Sequence, residues 1–229
     1  MNELKDCKCI RGPLNITTEY LETIELPNLE YIAGDIWFME NQMATRVSMP
    51  ALREIQGSLW VWYSEALTEV SMPQLEKIHG SLFISHEHSL ENLSFPSLSS
   101  IADLIMYDCE PLSNLDGLSS LKTVGTQSSE YAVDLEKTTL ENLNGLAGVT
   151  ALTASVSLVD NPYLTDVSGL MNISSFDLND SDITFQILDN AVLPTCEALK
   201  LRDALNPQES PVCIMDNSAD DCESDYSGC

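Results

Sequence analysis

The chain has 229 residues, 44% hydrophobic and only 20% charged, enough apolar content for one substantial core and too little charge for wholesale disorder. Ten Lys and Arg against 36 Asp and Glu leave a net charge of -26, a field that repels phosphate backbones and anionic bilayers and excludes nucleic acid as a partner. No apolar run reaches the roughly 18 residues a membrane helix needs, so no direct membrane insertion is expected.

Met1-Asn2-Glu3-Leu4-Lys5 lacks the apolar stretch of a secretory signal, and the chain reads as a mature segment. Next, Cys7 to Ile16 is expected to form a shortened first coil with Leu14 and Ile16 facing inward. A period then takes over. Leu29, Leu52, Leu75, Leu98 and Leu121 recur every 23 residues, as do Ile32, Ile55, Ile78, Ile101 and Val124. Pro27, Pro50, Pro73 and Pro96 keep that step, and Gly34, Gly57 and Gly80 share it. Several position classes on one period mark a stacked repeat. After Val124 the step lengthens to 28, reaching Leu152, and is then 24 to Phe176; the extra residues near Gln127-Ser128-Ser129-Glu130 are read as a protruding loop.

Within a coil, Leu67-Thr-Glu-Val70-Ser-Met72 before Pro73 and Gly80-Ser-Leu82-Phe-Ile84 both alternate apolar with polar, which predicts two short strands. Gly80 is expected to permit a corner, and Gln74 to Ile78 to form one turn that drops Leu75 and Ile78 inward. A coil alone cannot bury its apolar face, but stacked coils bury a continuous column. The predicted fold is mainly β: a right-handed parallel β-helix, or leucine-rich-repeat-like solenoid, of about seven coils. Residues 1–19 would form an N-terminal cap, 20–192 the solenoid, and 193–229 a cysteine-containing cap with an acidic tail.

In that cap Thr195 is expected to cap a helix from Cys196 to about Leu205, which Pro207 stops. Cys7, Cys9, Cys196, Cys213, Cys222 and Cys229 are the disulfide candidates; Cys213 could pair with Cys196 or Cys222, and Cys109 would be left over. Seven cysteines, placed mostly at the ends, predict an oxidising, secreted or cell-surface location.

Leu75-Glu-Lys-Ile78-His-Gly80-Ser-Leu82-Phe-Ile84, followed by Leu90-Glu-Asn-Leu93-Ser-Phe95-Pro96-Ser-Leu98, resembles the receptor L domain, found in insulin-type and epidermal-growth-factor-type receptors and in fungal cell-wall proteins. The resemblance covers about residues 12 to 180, and the segment Leu193 to Cys222 looks like the cap of bacterial surface proteins with the same repeat. It implies a binding or structural scaffold without catalytic machinery. No cysteine-rich module or kinase accompanies the repeat, so hormone signalling does not carry over.

Strand alternation turns Leu59, Val61, Leu82, Ile84, Leu104 and Met106 inward. The outward set then reads Trp37, Trp60, Phe83, Ile105 in one column and Met39, Trp62, Ser85, Tyr107 in the next. Outward strand positions are usually polar, so this block is the expected ligand-binding face, for a protein or a cell-surface glycan. A weak homo-dimer through that face, cover by another part of the chain, and stiffening of the sheet by aromatic stacking are the competing readings. A structural cell-envelope role, or a β-helix enzyme acting on polysaccharide, is the alternative function.

No catalytic residue, cofactor or metal site is assigned. His86 and His88 offer two imidazoles, with His79 nearby, but a histidine pair alone does not make a site. Asp216, Asp220 and Asp221 offer oxygens without the spacing of a calcium loop. Asn15, Asn92, Asn172 and Asn179 match the glycosylation rule at a frequency chance supplies.

Overall fold

In a computed structural model the chain is a β-solenoid, described here for residues 4–126, 129–176, 185–207, 211–227 and 229. Three parallel sheets run along it. The broad sheet has nine strands: Leu14–Ile16, Ile36–Met39, Leu59–Trp62, Leu82–Glu87, Leu104–Cys109, Tyr131–Thr138, Ser155–Val159, Phe185–Leu188 and Val212–Met215. We number the first eight turns of the chain by these strands, one more than the sequence period suggests. The narrow sheet has eight strands of two residues, from Cys9–Ile10 to Ser175–Phe176. The short sheet has four: Thr23–Glu25, Arg46–Ser48, Glu69–Ser71 and Asn92–Ser94.

Like residues lie over like because the step is constant. Leu82 pairs with Leu59 and Leu104, and Ile84 with Val61 and Met106; these inward side chains are fully or almost fully buried, in one core that runs from Leu14 to Ile214. The expected single turn at Gln74 to Ile78 is corrected: Lys77–Ile78 is a strand of the narrow sheet, in register with Glu54–Ile55. Two residues are too few to show a period-two pattern. The role expected for Gly80 also changes. A Cβ there would sit 2.8 Å from the backbone of Gly57, and one on Gly57 would sit 2.7 Å from Gly34, so the glycine column lets consecutive coils approach.

From the fifth coil onward 3-10 turns replace the short sheet, at Asp116–Leu118, Asn144–Leu146 and Ser168–Leu170. The side chains of Asn114, Asn142 and Asp166 accept the N–H two residues on, at 2.8–3.1 Å, and start each turn. Gly117, Gly145 and Gly169 sit where a Cβ would collide with the carbonyl of Leu93, Leu115 or Leu143 in the coil before. The repeated Asx-x-x-Gly-Leu was legible in the sequence and marks where a strand gives way to a turn. Of the expected protruding loop, Gln127 and Ser128 lie outside the described residues, whereas Ser129 is buried and its hydroxyl accepts the Thr126 N–H at 3.0 Å.

The C-terminal end is closed by the helix Thr195–Leu205, whose Ala198, Leu201 and Leu205 are buried. Thr195 does not cap it: Pro194 holds the cap position, and Thr195 is the first helical residue, its hydroxyl donating to the Ser218 carbonyl at 3.1 Å. The Asp220 carboxylate serves the helix start instead, accepting the Cys196 N–H at 2.7 Å. Disulfides join Cys196 to Cys222 and Cys213 to Cys229. Cys213 thus pairs with neither expected partner, and neither bridge takes in Cys7 or Cys9. Cys213 lies in the ninth broad-sheet strand, so its bridge fixes Cys229, rather than the helix, to the solenoid. No helix among the described residues is long and apolar enough to cross a membrane.

Candidate functional site

From the second broad-sheet strand to the ninth, each strand ends in a corner built twice over. One residue takes a left-handed conformation and points outward: Glu40, Tyr63, His86, Asp108, Lys137, Asp160, Asp189 and Asp216, with φ from 52° to 58°. The next residue turns inward: Asn41, Ser64, Glu87, Cys109, Thr138, Asn161, Asn190 and Asn217. All of these but Cys109 and Thr138 form a ladder in which a side-chain oxygen accepts a backbone N–H of the coil before. Thr138 N–H donates to Asn161 Oδ1 (3.0 Å), Asn161 N–H to Asn190 Oδ1 (3.0 Å) and Asn190 N–H to Asn217 Oδ1 (3.2 Å). The amide groups of Asn161, Asn190 and Asn217 donate in turn to Leu135, Leu158 and Ile187 carbonyls. Buried polar groups are held by such complete pairing.

The ladder is interrupted in the fourth and fifth coils. Glu87 Oε1 accepts the Ser64 N–H at 2.9 Å, but Oε2 is buried without a partner among the described residues. Burial pushes the Glu87 carboxyl up to about 8, against the pull of the Ser64 N–H. Above it Cys109 Sγ makes long contacts to the Ile84 carbonyl at 3.4 Å and the Tyr107 carbonyl at 3.5 Å. Burial, then the charge of Glu87, raise that thiol to about 12, which makes it an unreactive thiol at neutral pH.

Outside the same strands lies the aromatic block. Trp37, Trp60, Phe83 and Ile105 are in register across four coils, as are Met39, Trp62, Ser85 and Tyr107. Trp60 packs at a tilt against Phe83 with ring centroids 4.6 Å apart, and its Nε1 is buried without a partner among the described residues. Ser85 is buried rather than displayed, its hydroxyl bonded to His86 Nδ1 at 2.7 Å. The corner residues extend the block: Trp62 lies 5.2 Å from Tyr63, Tyr63 stacks on His86 at 4.3 Å, and His86 lies 5.2 Å from Tyr107. Lys137 closes the row 4.9 Å over the Tyr107 ring, with Nζ 3.2 Å from the hydroxyl. Its bonds to Glu136 and Tyr107 hold the Lys137 ammonium above its ordinary range. Tyr63 and His86 belong to the block but escaped the alternation argument, because the left-handed corner adds an outward position that period-two counting omits.

Trp37, Trp60, Phe83 and Ile105 are half-buried by their neighbours, while Trp62 and Tyr63 are 38% and 39% exposed. In later coils Asp134, Ser157 and Gln186 continue the first column. Burial raises the Asp134 carboxyl, in part offset by the Ser157 hydroxyl. Beside the block, Asp108, Glu110, Lys137, Asp160 and Tyr163 line an open cleft of about 290 Å³.

No protein-family model, curated protein or solved structure matches the chain. Its chemistry is therefore read from its own residues.

The remaining sequence candidates fall apart from one another. His79 is engaged by Glu54 Oε1 at 2.7 Å. Asp216 is a corner residue, Asp220 binds the Cys196 and Cys222 N–H groups, and Asp221 is exposed. Cys196, Asp220 and Cys222 cluster as ligands could, but both sulfurs are spent in a disulfide. Asn15 lies on the first broad-sheet strand, Asn92 on the short sheet, and Asn172 bonds the Ala147 carbonyl; Asn179 lies outside the described residues.

Proposed function

We propose that the chain is an extracellular or cell-surface recognition module of the receptor L type, non-catalytic, which takes a protein partner on the aromatic face of coils two to five. The carrying observation is the in-register block from Trp37 to Tyr107, with Trp62 and Tyr63 at its solvent edge. Aromatic residues concentrated on one patch favour desolvation by a partner. Tyr63 and His86 stack on each other and Trp60 packs at a tilt against Phe83, so these rings are engaged with one another. A sugar stacks on a free ring face, so a protein fits better than a glycan. Self-association is opposed by the net charge of -26. The disulfides support an oxidising location.

The test is a binding panel of surface proteins and glycans, read with the wild type and with Trp62→Ala, whose side chain contributes little to the core. A protein ligand lost in Trp62→Ala, and in a folded Trp37, Trp60 and Trp62 to Ala triple variant, supports the reading. Equal binding by all three overturns it. The carboxylates of the 290 Å³ cleft favour a carbohydrate-active second reading, and cleavage of a panel glycan would establish it.

A further inference from the structure

One cluster within the corner column has chemistry that the recognition surface does not use. His86 Nε2 and His88 Nε2 each lie 3.9 Å from the same oxygen, Oδ2 of Asp108, one coil on. The His86 ring is held from three sides: Tyr63 stacks on one side, Tyr107 lies on another, and the Ser85 hydroxyl bonds Nδ1. With Nδ1 engaged, Nε2 is the nitrogen left to bind, the arrangement that orients a metal-ligating imidazole. Asp108 is fixed at φ 53° at the corner, while His88 is the most exposed of the three.

We infer that His86, His88 and Asp108 form a site for one transition-metal dication, zinc in the first instance. Two imidazoles and a carboxylate are a zinc ligand set, and three protein ligands leave a fourth position open. In a tetrahedral site ligand atoms stand about 3.3 Å apart, so each 3.9 Å contact must contract. The three ligand atoms do not all lie within 4.8 Å of one another, and the exposed His88 ring swings in to close the set. A surface of net charge -26 draws the cation toward it.

Zn2+ is titrated calorimetrically into the whole chain in excess Mg2+, which occupies sites made of carboxylates alone. One equivalent should bind. His88→Ala and Asp108→Asn should each weaken binding roughly tenfold or more, while His79→Ala and Cys9→Ser leave it unchanged. Cu2+ gives a second readout: its paramagnetic resonance spectrum should show two imidazole nitrogens in the wild type and one in His88→Ala. Both substitutions are conservative for folding, one at an exposed side chain and the other isosteric at a left-handed corner, and matched melting curves check this. Absence of a stoichiometric Zn2+ site in the wild type overturns the inference. So does undiminished affinity in His88→Ala or Asp108→Asn, or loss of the site in Cys9→Ser or His79→Ala.

Discussion

In coils two to five the outward side of the broad sheet carries Trp37, Trp60, Phe83 and Ile105, and the inner corner carries Asn41, Ser64, Glu87 and Cys109. In coils six to eight the outward side carries Asp134, Ser157 and Gln186, and the inner corner Thr138, Asn161 and Asn190. The later half is held by a paired Asn ladder at the inner corner and displays little. The earlier half has an irregular inner ladder and a block of contacting aromatic rings outside. The left-handed corner recurs in both with φ between 52° and 58°, although the short sheet of the earlier half gives way to 3-10 turns in the later one.

That contrast can be broken most forcefully in the later half. Asn161→Ala strips the partner from the Thr138 N–H and the Leu135 carbonyl, and denaturant unfolding should show a loss of about 4 kcal/mol. Ser64→Ala, which removes one acceptor from the Asn41 N–H at 3.3 Å, should cost only about 1 kcal/mol. Reduction tests the end of the later half: the bridges span 26 and 16 residues, and each should contribute about 3 kcal/mol. A thermal melt unchanged by reductant would show that the cap is held without them.

Glu87 offers a test of opposite sign. Its carboxyl titrates near 8 when folded and near 4.5 otherwise, so the stability it contributes is full below pH 4.5 and falls as pH rises toward 8. At pH 7 the deficit is about 3 kcal/mol. Glu87→Gln should therefore raise stability at pH 7 by a similar amount, leave it nearly unchanged at pH 4, and flatten the curve between. The smallest effect concerns the outer stack: a double-mutant cycle on Trp60 and Phe83 should give a coupling of about 1 kcal/mol, and a value near zero would show that the rings pack without reinforcing each other.

The coil step was legible because Leu, Ile, Pro and Gly each mark a buried or close-packed position that tolerates few substitutes. The aromatic columns followed from alternation on that frame. The inner ladder did not, since Asn41, Ser64, Glu87 and Asn161 share no single residue type, only an oxygen that accepts a backbone N–H of the coil before. Polar letters at a strand end read as solvent-facing until their hydrogen bonds are seen. The bridge pairing was hidden for another reason: it depends on which strand the C-terminal segment joins, and Val212–Met215 extends the broad sheet beyond the expected end of the solenoid at residue 192. His88 and Asp108 lie 20 positions apart in the chain and meet only because the coil step is nearly that long.

The left-handed corner residues have a consequence for how such a molecule changes over generations. Each of the eight projects from a backbone fixed by its inward neighbour, so replacing one rewrites a single tile of the outer surface and leaves the scaffold intact. Tyr, His, Asp, Glu and Lys all occupy that tile in this one chain. Variation can therefore explore new contacts one coil at a time, with the fold insulated from each trial.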